Sequence, residues 1–338
     1  MDFQYRRELA GGSTLSALSF ESAALADNPL GDPTTRAHPV LIPSGGGEEL
    51  PLVCVLVGYT GFGHKVLNKS SLWQENLPER LSRLMGEGEI SPAVFLWPSC
   101  ETRLGGSQYL NSPGTGLYED MLMDELIPVV EEKWACGGEG KRVVIGKSSG
   151  GYGALRLAMR RGGFFSAAGS HCGDMGFDVS HTRGFPDALA CWQRFGGPQA
   201  FLEALPGLDE FGYAEHAGLE MIAMASCYSP DAEASLGVQL PVDPETGEIR
   251  GEIFEKWLAN DPLRMVEDPD HAESLRGLKA LYLDAGEKDE FALQWGLRRM
   301  ARRLEKLNIP HRVEYHEGGH FNTDGRYSAS LPFLLGAL

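Results

Sequence analysis

"VVIGKSSGGYGA", residues 143–154, carries two chemistries on one set of atoms. Gly146-Lys147-Ser148 is the end of a phosphate-cradling P-loop, while Gly146-Lys147-Ser148-Ser149-Gly150 is a complete G-x-S-x-G, the turn that presents a nucleophilic serine. Spacing separates them. A P-loop needs an earlier glycine so that the intervening N–H groups can wrap the phosphates. Here the required position is Lys141, and Gly140 is one residue too early. The run from Lys141 to Ile145 is short, β-branched and apolar, so it reads as a buried strand. It leads straight into Gly146 and leaves no room for a phosphate loop. The nucleophilic reading fits its surroundings: a strand before the serine, small residues flanking it, and a helix from Tyr152 to Arg161 ended by Gly162-Gly163.

Composition sets the outer limits. The chain has 338 residues with 42% apolar content, enough for a sizeable core and one α/β domain with an insertion. Its net charge of −17 argues against nucleic acid or an anionic membrane as partner. The first residues carry no apolar h-region, and no stretch reaches membrane-spanning length. The cysteines at 54, 100, 136, 172, 191 and 227 form no C-x-x-C pair, which suits reduced, buried thiols and a cytoplasmic location. A homo-oligomer is left open.

Strand-like runs alternate with helix-like ones, so the expectation is an α/β fold with a mostly parallel central sheet flanked by helices. Two leading strands fall within 13–43, and further strands at 52–57, 93–97, 165–170, 278–284 and 312–316. Helices are expected at 120–134, with a kink or late start at Pro128, and at 290–306. Residues 1–174 and 278–338 form the expected core domain. Residues 175–277, with weak periodicity and several turn signals, read as a mainly helical cap insertion.

A serine needs a base to take its proton, and that base needs an acid to fix its tautomer. Asp289, just past strand 278–284, is the expected acid; Asp284 and Asp174 also follow strands and are rivals. Asp289 has a structural reading too, as cap of the helix that follows. His320, in Glu317-Gly318-Gly319-His320 after the last strand, is the expected base, the glycines letting the loop bend back over the sheet. His316 lies four residues earlier, but the glycines oppose the helix a metal-binding pair would need. No ligand cluster suggests zinc, and no metal or cofactor is expected. For the developing oxyanion, the donors expected are the backbone N–H groups of Ser149 and Tyr59. Gln108, Tyr109 and Asn111 follow strand 93–97 and are candidates for the pocket wall, or ordinary loop residues.

Gly146-Lys-Ser-Ser-Gly-Gly-Tyr-Gly-Ala154, Gly286-x-x-Asp289-x-Phe291, Gly318-Gly-His320 and Glu125-Leu-Ile-Pro128 together resemble the putative-esterase family of α/β-hydrolases. That family includes esterase-D/S-formylglutathione hydrolases, enterochelin esterases and mycolyltransferases. The resemblance covers most of 50–325. It implies Ser148 as nucleophile, Asp289 as acid, His320 as base and the Tyr59 and Ser149 amides as oxyanion hole. Two positions depart from many relatives: Val57-Gly58 stands where they carry His-Gly, and Ser149 where they carry a hydrophobic residue. The expected activity is hydrolysis of a small carboxylic ester or thioester through an acyl-enzyme. An acyltransferase with an alcohol or sugar acceptor, and a non-catalytic binding protein on the same fold, are the alternatives.

Overall fold

The computed structural model describes residues 5–69 and 71–338. Among them, one nine-stranded sheet is built from β1 (Arg6–Glu8), β2 (Thr14–Glu21), β3 (Thr35–Ile42), β4 (Leu52–Leu56), β5 (Val94–Leu96), β8 (Arg142–Lys147), β9 (Ala167–His171), β10 (Ala280–Gly286) and β11 (Arg312–His316). A small hairpin, β6 (Asn111–Ser112) with β7 (Gly116–Leu117), stands apart. The spatial order is β1-β2-β3-β5-β4-β8-β9-β10-β11. β1, β2, β3 and β5 pair antiparallel, and every pairing from β5 to β11 is parallel. The leading pair keeps register from Thr14 opposite Ile42 to Glu21 opposite Thr35, closed by a turn in which Asn28 bonds Leu25 and Asp32.

β4, β9 and β10 are buried along their whole length, as strands covered on both faces must be. The covering helices are α1 (Leu77–Gly86), α2 (Ile127–Trp134), α3 (Ser149–Arg160), α4 (Phe185–Phe195), α5 (Tyr213–Tyr228), α6 (Gly251–Leu258), α7 (Pro262–Met265), α8 (Pro269–Arg276), α9 (Leu293–Lys306) and α10 (Tyr327–Leu335). α1 starts with a capping box in which Asn76 and Glu79 satisfy each other's amides. Ahead of α2 the helix widens into a π turn, Met121–Leu126. Pro128, which has no N–H to give, follows that π turn inside a helix that runs unbroken from Tyr118 to Trp134, so the expected late start is not found and the irregularity is the widened turn ahead of the proline.

The segment between β9 and β10 is helical and divides into two packing groups. α4, α5 and α6 enclose a core of their own around Trp192, Phe201, Tyr228 and Trp257, closed below by Leu104 and Tyr152. α7 and α8 instead give Leu263, Met265, Val266, Ala272 and Leu275 to the core that α3 and α9 share with the sheet. One buried side chain ties the start of the segment to its end. Asp261, 2% exposed, accepts hydrogen bonds from the N–H groups of Gly176 (2.9 Å), Phe177 (2.8 Å) and Leu263 (2.9 Å). Replacing Asp261 with Ala strands three buried donors and is expected to cost about 3 kcal/mol or more. A thermal melt of the variant checks this; an unchanged midpoint would refute it.

Candidate active site

The site grows from the junction of β8 and α3. Ser148 sits between them at φ 57° and ψ −126°, a conformation of the kind that costs a non-glycine residue about 1–3 kcal/mol. The backbone holds it from both sides: its N–H donates to the His171 carbonyl (2.9 Å), and its own carbonyl accepts from Tyr152 (2.9 Å). The flanking glycines are forced by contact. A Cβ on Gly150 would lie 2.1 Å from the Leu56 oxygen, and one on Gly146 would lie 2.3 Å from the Gly150 oxygen. β4, β8 and α3 therefore meet more closely than any side chain permits. Ser149 begins the helix, where an N–H has no partner within the helix. The hydroxyl of Ser149 turns away and donates to Asp174 (3.2 Å).

Asp289 follows β10. One of its oxygens stands 2.9 Å from Nδ1 of His320, and the other accepts from Phe291 N–H (2.9 Å) and, at 3.5 Å, from Leu293 N–H. The two sequence readings of Asp289 are thus both true, on separate oxygens. α9 starts three residues later than expected because Ala292 takes a left-handed turn (φ 62°) while the Asp289 carboxylate holds the loop open. Asp289 and His320 are each 4% exposed. The His320 ring meets the Phe291 ring edge-on at 4.7 Å, and its backbone N–H donates to Glu290 (2.6 Å). Neither Gly318 nor Gly319 has a positive φ; a Cβ on Gly319 would lie 2.5 Å from the Glu290 carboxylate that holds the His320 N–H, so a side chain there would push that carboxylate aside.

The rival acids are spent elsewhere. Asp284 bonds Nδ1 of His171 (2.9 Å) and Nε of Arg326 (2.7 Å). Burial alone would raise its pKa, but those two partners outweigh burial and hold it below the usual carboxylate range. Asp174 lies on the far side of Ser149, and burial pushes its pKa up to about 6.

Ser148 and His320 line one open cleft of about 620 Å³ together with Gly58, Tyr59, Lys147 and Asp174. Gly58 lies against the nucleophile candidate: a Cβ there would be 3.2 Å from that of Ser148. Lys147 rests over the Phe321 ring at 5.5 Å, and burial lowers its pKa. Gln108, Tyr109 and Asn111 are not among the cleft's lining residues. Gln108 and Tyr109 both take left-handed backbone (φ 52° and 54°), which turns them inward: the Gln108 amide reaches Met224, and the Tyr109 hydroxyl donates to the Val57 carbonyl (2.6 Å). Tyr109 thereby buttresses the loop that carries Tyr59. Asn111 is exposed and binds Asp120 and the start of the following helix.

The sequence reading also missed residues. Phe211, Tyr213, His216 and Glu220 line the cleft from α5 and its approach, and Cys172 lies within 4.8 Å of the Asp289 and His320 ligand atoms. The Cys172 thiol is buried, and burial raises its pKa, so at neutral pH it is a weak metal donor. The only signal for the α5 residues was the four-residue spacing of His216 and Glu220, hidden in a helix that is otherwise apolar.

Among described residues no helix is long and apolar enough to cross a membrane. No curated protein matches the chain in sequence. Solved structures do match in fold. A ferulic acid esterase superposes with a TM-score of 0.64 at 17% identity, covering 96% of this chain and 99% of that one. An S-formylglutathione hydrolase from Agrobacterium tumefaciens gives 0.60 at 15% identity over 99% and 98%. A ferulic acid esterase from Anaeromyces mucronatus gives 0.55 at 15% identity over 100% and 94%. At such identities the likeness speaks for the α/β-hydrolase fold. The family described as "Putative esterase" matches residues 42–333, and the chain therefore belongs to the putative esterase family of α/β-hydrolases.

Proposed function

We propose that this esterase works through an acyl-enzyme on Ser148, with His320 as base and Asp289 as its orienting acid. The observation that carries the reading is the 2.9 Å bond from Asp289 to Nδ1 of His320, a ring that shares its cleft with Ser148 on a strained strand-to-helix turn. With Nδ1 held by the carboxylate, the proton-accepting lone pair is on Nε2, the nitrogen free to take the serine proton. Attack of Ser148 Oγ on the ester carbonyl puts charge on the carbonyl oxygen, where the N–H groups of Ser149 and Tyr59 stabilise it. The imidazolium then protonates the leaving alcohol or thiol. Water, deprotonated by His320, attacks the acyl-enzyme and releases the acid. The route calls on neither a metal nor a redox cofactor.

In the same reading residues 1–174 and 278–338 form the catalytic core and 175–277 the cap, its end at 262–276 packed back on the core; the cap is supported by the five residues, 211–213, 216 and 220, that it sets along the cleft. Six unpaired, buried cysteines favour the cytoplasm as its location. The test is turnover of p-nitrophenyl acetate and of an acyl thioester by purified protein. An initial burst of p-nitrophenol equal to the enzyme concentration is expected wherever deacylation is slower than acylation. Absence of turnover on both substrates would refute the reading.

A further inference from the structure

Beyond the serine the cleft opens into a small side chamber of about 30 Å³, room for one ammonium head while the rest of a ligand stays in the cleft, and the two share Asp174, Tyr213, His216, Glu220 and Phe291. The nucleophile, the base and the acid do not line this chamber. Its polar equipment is unusual for a space behind an esterase nucleophile. Two carboxyl groups face it, Asp174 from the loop after β9 and Glu220 from α5. Among the described residues neither has a lysine or arginine within ion-pair distance, and the only ionisable partner at Glu220 is Nδ1 of His216 at 3.7 Å. The third acceptor candidate is His181, which is 8% exposed and lines the same chamber with no hydrogen-bond partner at its Nε2. Trp257, Met221, Met224 and Phe185 close the rest of the wall.

Apart from the Ser149 hydroxyl on Asp174 and the His216 ring beside Glu220, the two carboxyl groups have no cation to meet; set in an apolar wall and joined to the cleft, they describe a receptor for a cationic donor. A neutral hydroxyl offers one proton, whereas a primary ammonium offers three and a charge that matches the carboxylates. We infer that this chamber is a subsite for a protonated amine, held between Asp174 and Glu220 with His181 as a further acceptor. The inference rests on the esterase reading only in taking that amine to be a group of the ester substrate; binding itself needs no turnover.

The electrostatics of the empty chamber agree. Burial pushes Glu220 up to about 8 and Asp174 up to about 6, each raised further by other carboxylates, Asp174 in the case of Glu220. Glu220 is faced by His216 on its own helix, by Asp174 across the chamber and by Tyr59 from the oxyanion loop. The imidazoles are no substitute for a cation, since burial lowers the pKa of His216 and brings that of His181 down to about 4. Arg183, also in the chamber wall, is exposed and, among the described residues, pairs with neither carboxylate. Near pH 7 the empty Glu220 therefore keeps its proton, and an arriving ammonium should expel it.

The experiment is calorimetric titration of n-butylammonium and of butan-1-ol, its neutral counterpart, into the full chain. The ammonium is expected to bind at least about tenfold more tightly than the alcohol, with affinity rising from pH 6 to pH 9 and a heat that varies with buffer ionisation enthalpy. Glu220→Gln, close in shape, should weaken ammonium binding by about tenfold or more and remove the buffer dependence. Equal affinity for alcohol and ammonium, ammonium binding unchanged in Glu220→Gln, or no binding of the ammonium by the wild-type chain would each overturn the inference. Because no bond is broken in this measurement, its failure and failure of the Ser148 mechanism can be told apart.

Discussion

Ser148→Ala is expected to lower kcat on a p-nitrophenyl ester by about 10⁶-fold, leaving a residue of catalysis from binding and the backbone donors alone. The physical reason is that nothing nearby can replace the hydroxyl. Ser149 is adjacent, but its Oγ is committed to Asp174 at 3.2 Å and sits inside the first turn of α3. Cys172 is buried beside the acid and base with its thiol pKa raised, so it offers little thiolate. The substitution should leave folding intact and the strain in place, since Ala keeps the Cβ and the φ of 57° is imposed by β8 and α3. Steady-state kinetics with a matched melting curve check both halves: a variant retaining a tenth of the activity would contradict the mechanism.

Asp289→Asn is the second large effect, with an expected loss of about 10⁴-fold in kcat. The amide can donate to Nδ1 of His320 and so favour the tautomer whose Nε2 carries a proton, which is useless as a base. Asp174→Asn is the discriminating control, because Asp174 hydrogen-bonds Ser149 whereas Nδ1 of His320 is bonded by Asp289, and it should cost far less on a substrate without an amine. Asp284→Asn should act on stability instead, since Asp284 is 1% exposed and its carboxylate, in β10, bonds Arg326 and the His171 ring at the end of β9. Equal losses at 174 and 289 would contradict the assignment. The measurement is kcat against melting temperature for all three variants.

How much of this was legible beforehand follows from the range of each constraint. The turn at Ser148 and the acid and base that face it sit in short motifs at strand ends, where the residue types themselves, small ones around the serine and Gly-Gly before the histidine, carry the signal. In the fold Gly146 meets Gly150 four residues on, and Gly150 meets the Leu56 carbonyl of the neighbouring strand. The parallel half of the sheet was equally readable, because strands covered on both faces must be apolar throughout. The pocket wall was not. Gln108 and Tyr109 follow the right strand, but two successive left-handed residues turn them into the protein, and no residue type there demands that conformation. α5 is apolar on nearly all sides because it packs in its own small core, so His216 and Glu220 look like interruptions rather than a site. The helices 262–276 lie in the segment read as cap yet contribute to the main core, a matter of tertiary packing that periodicity does not encode.

The central claim is that one side chain, Ser148, is the activated nucleophile. Treating the protein with a fluorophosphonate and weighing the intact chain and its peptides tests it most directly. One adduct per chain, located on Ser148 and formed much more slowly in His320→Ala, is the predicted result. An adduct on another residue, or an unmodified chain after prolonged exposure, would contradict the account.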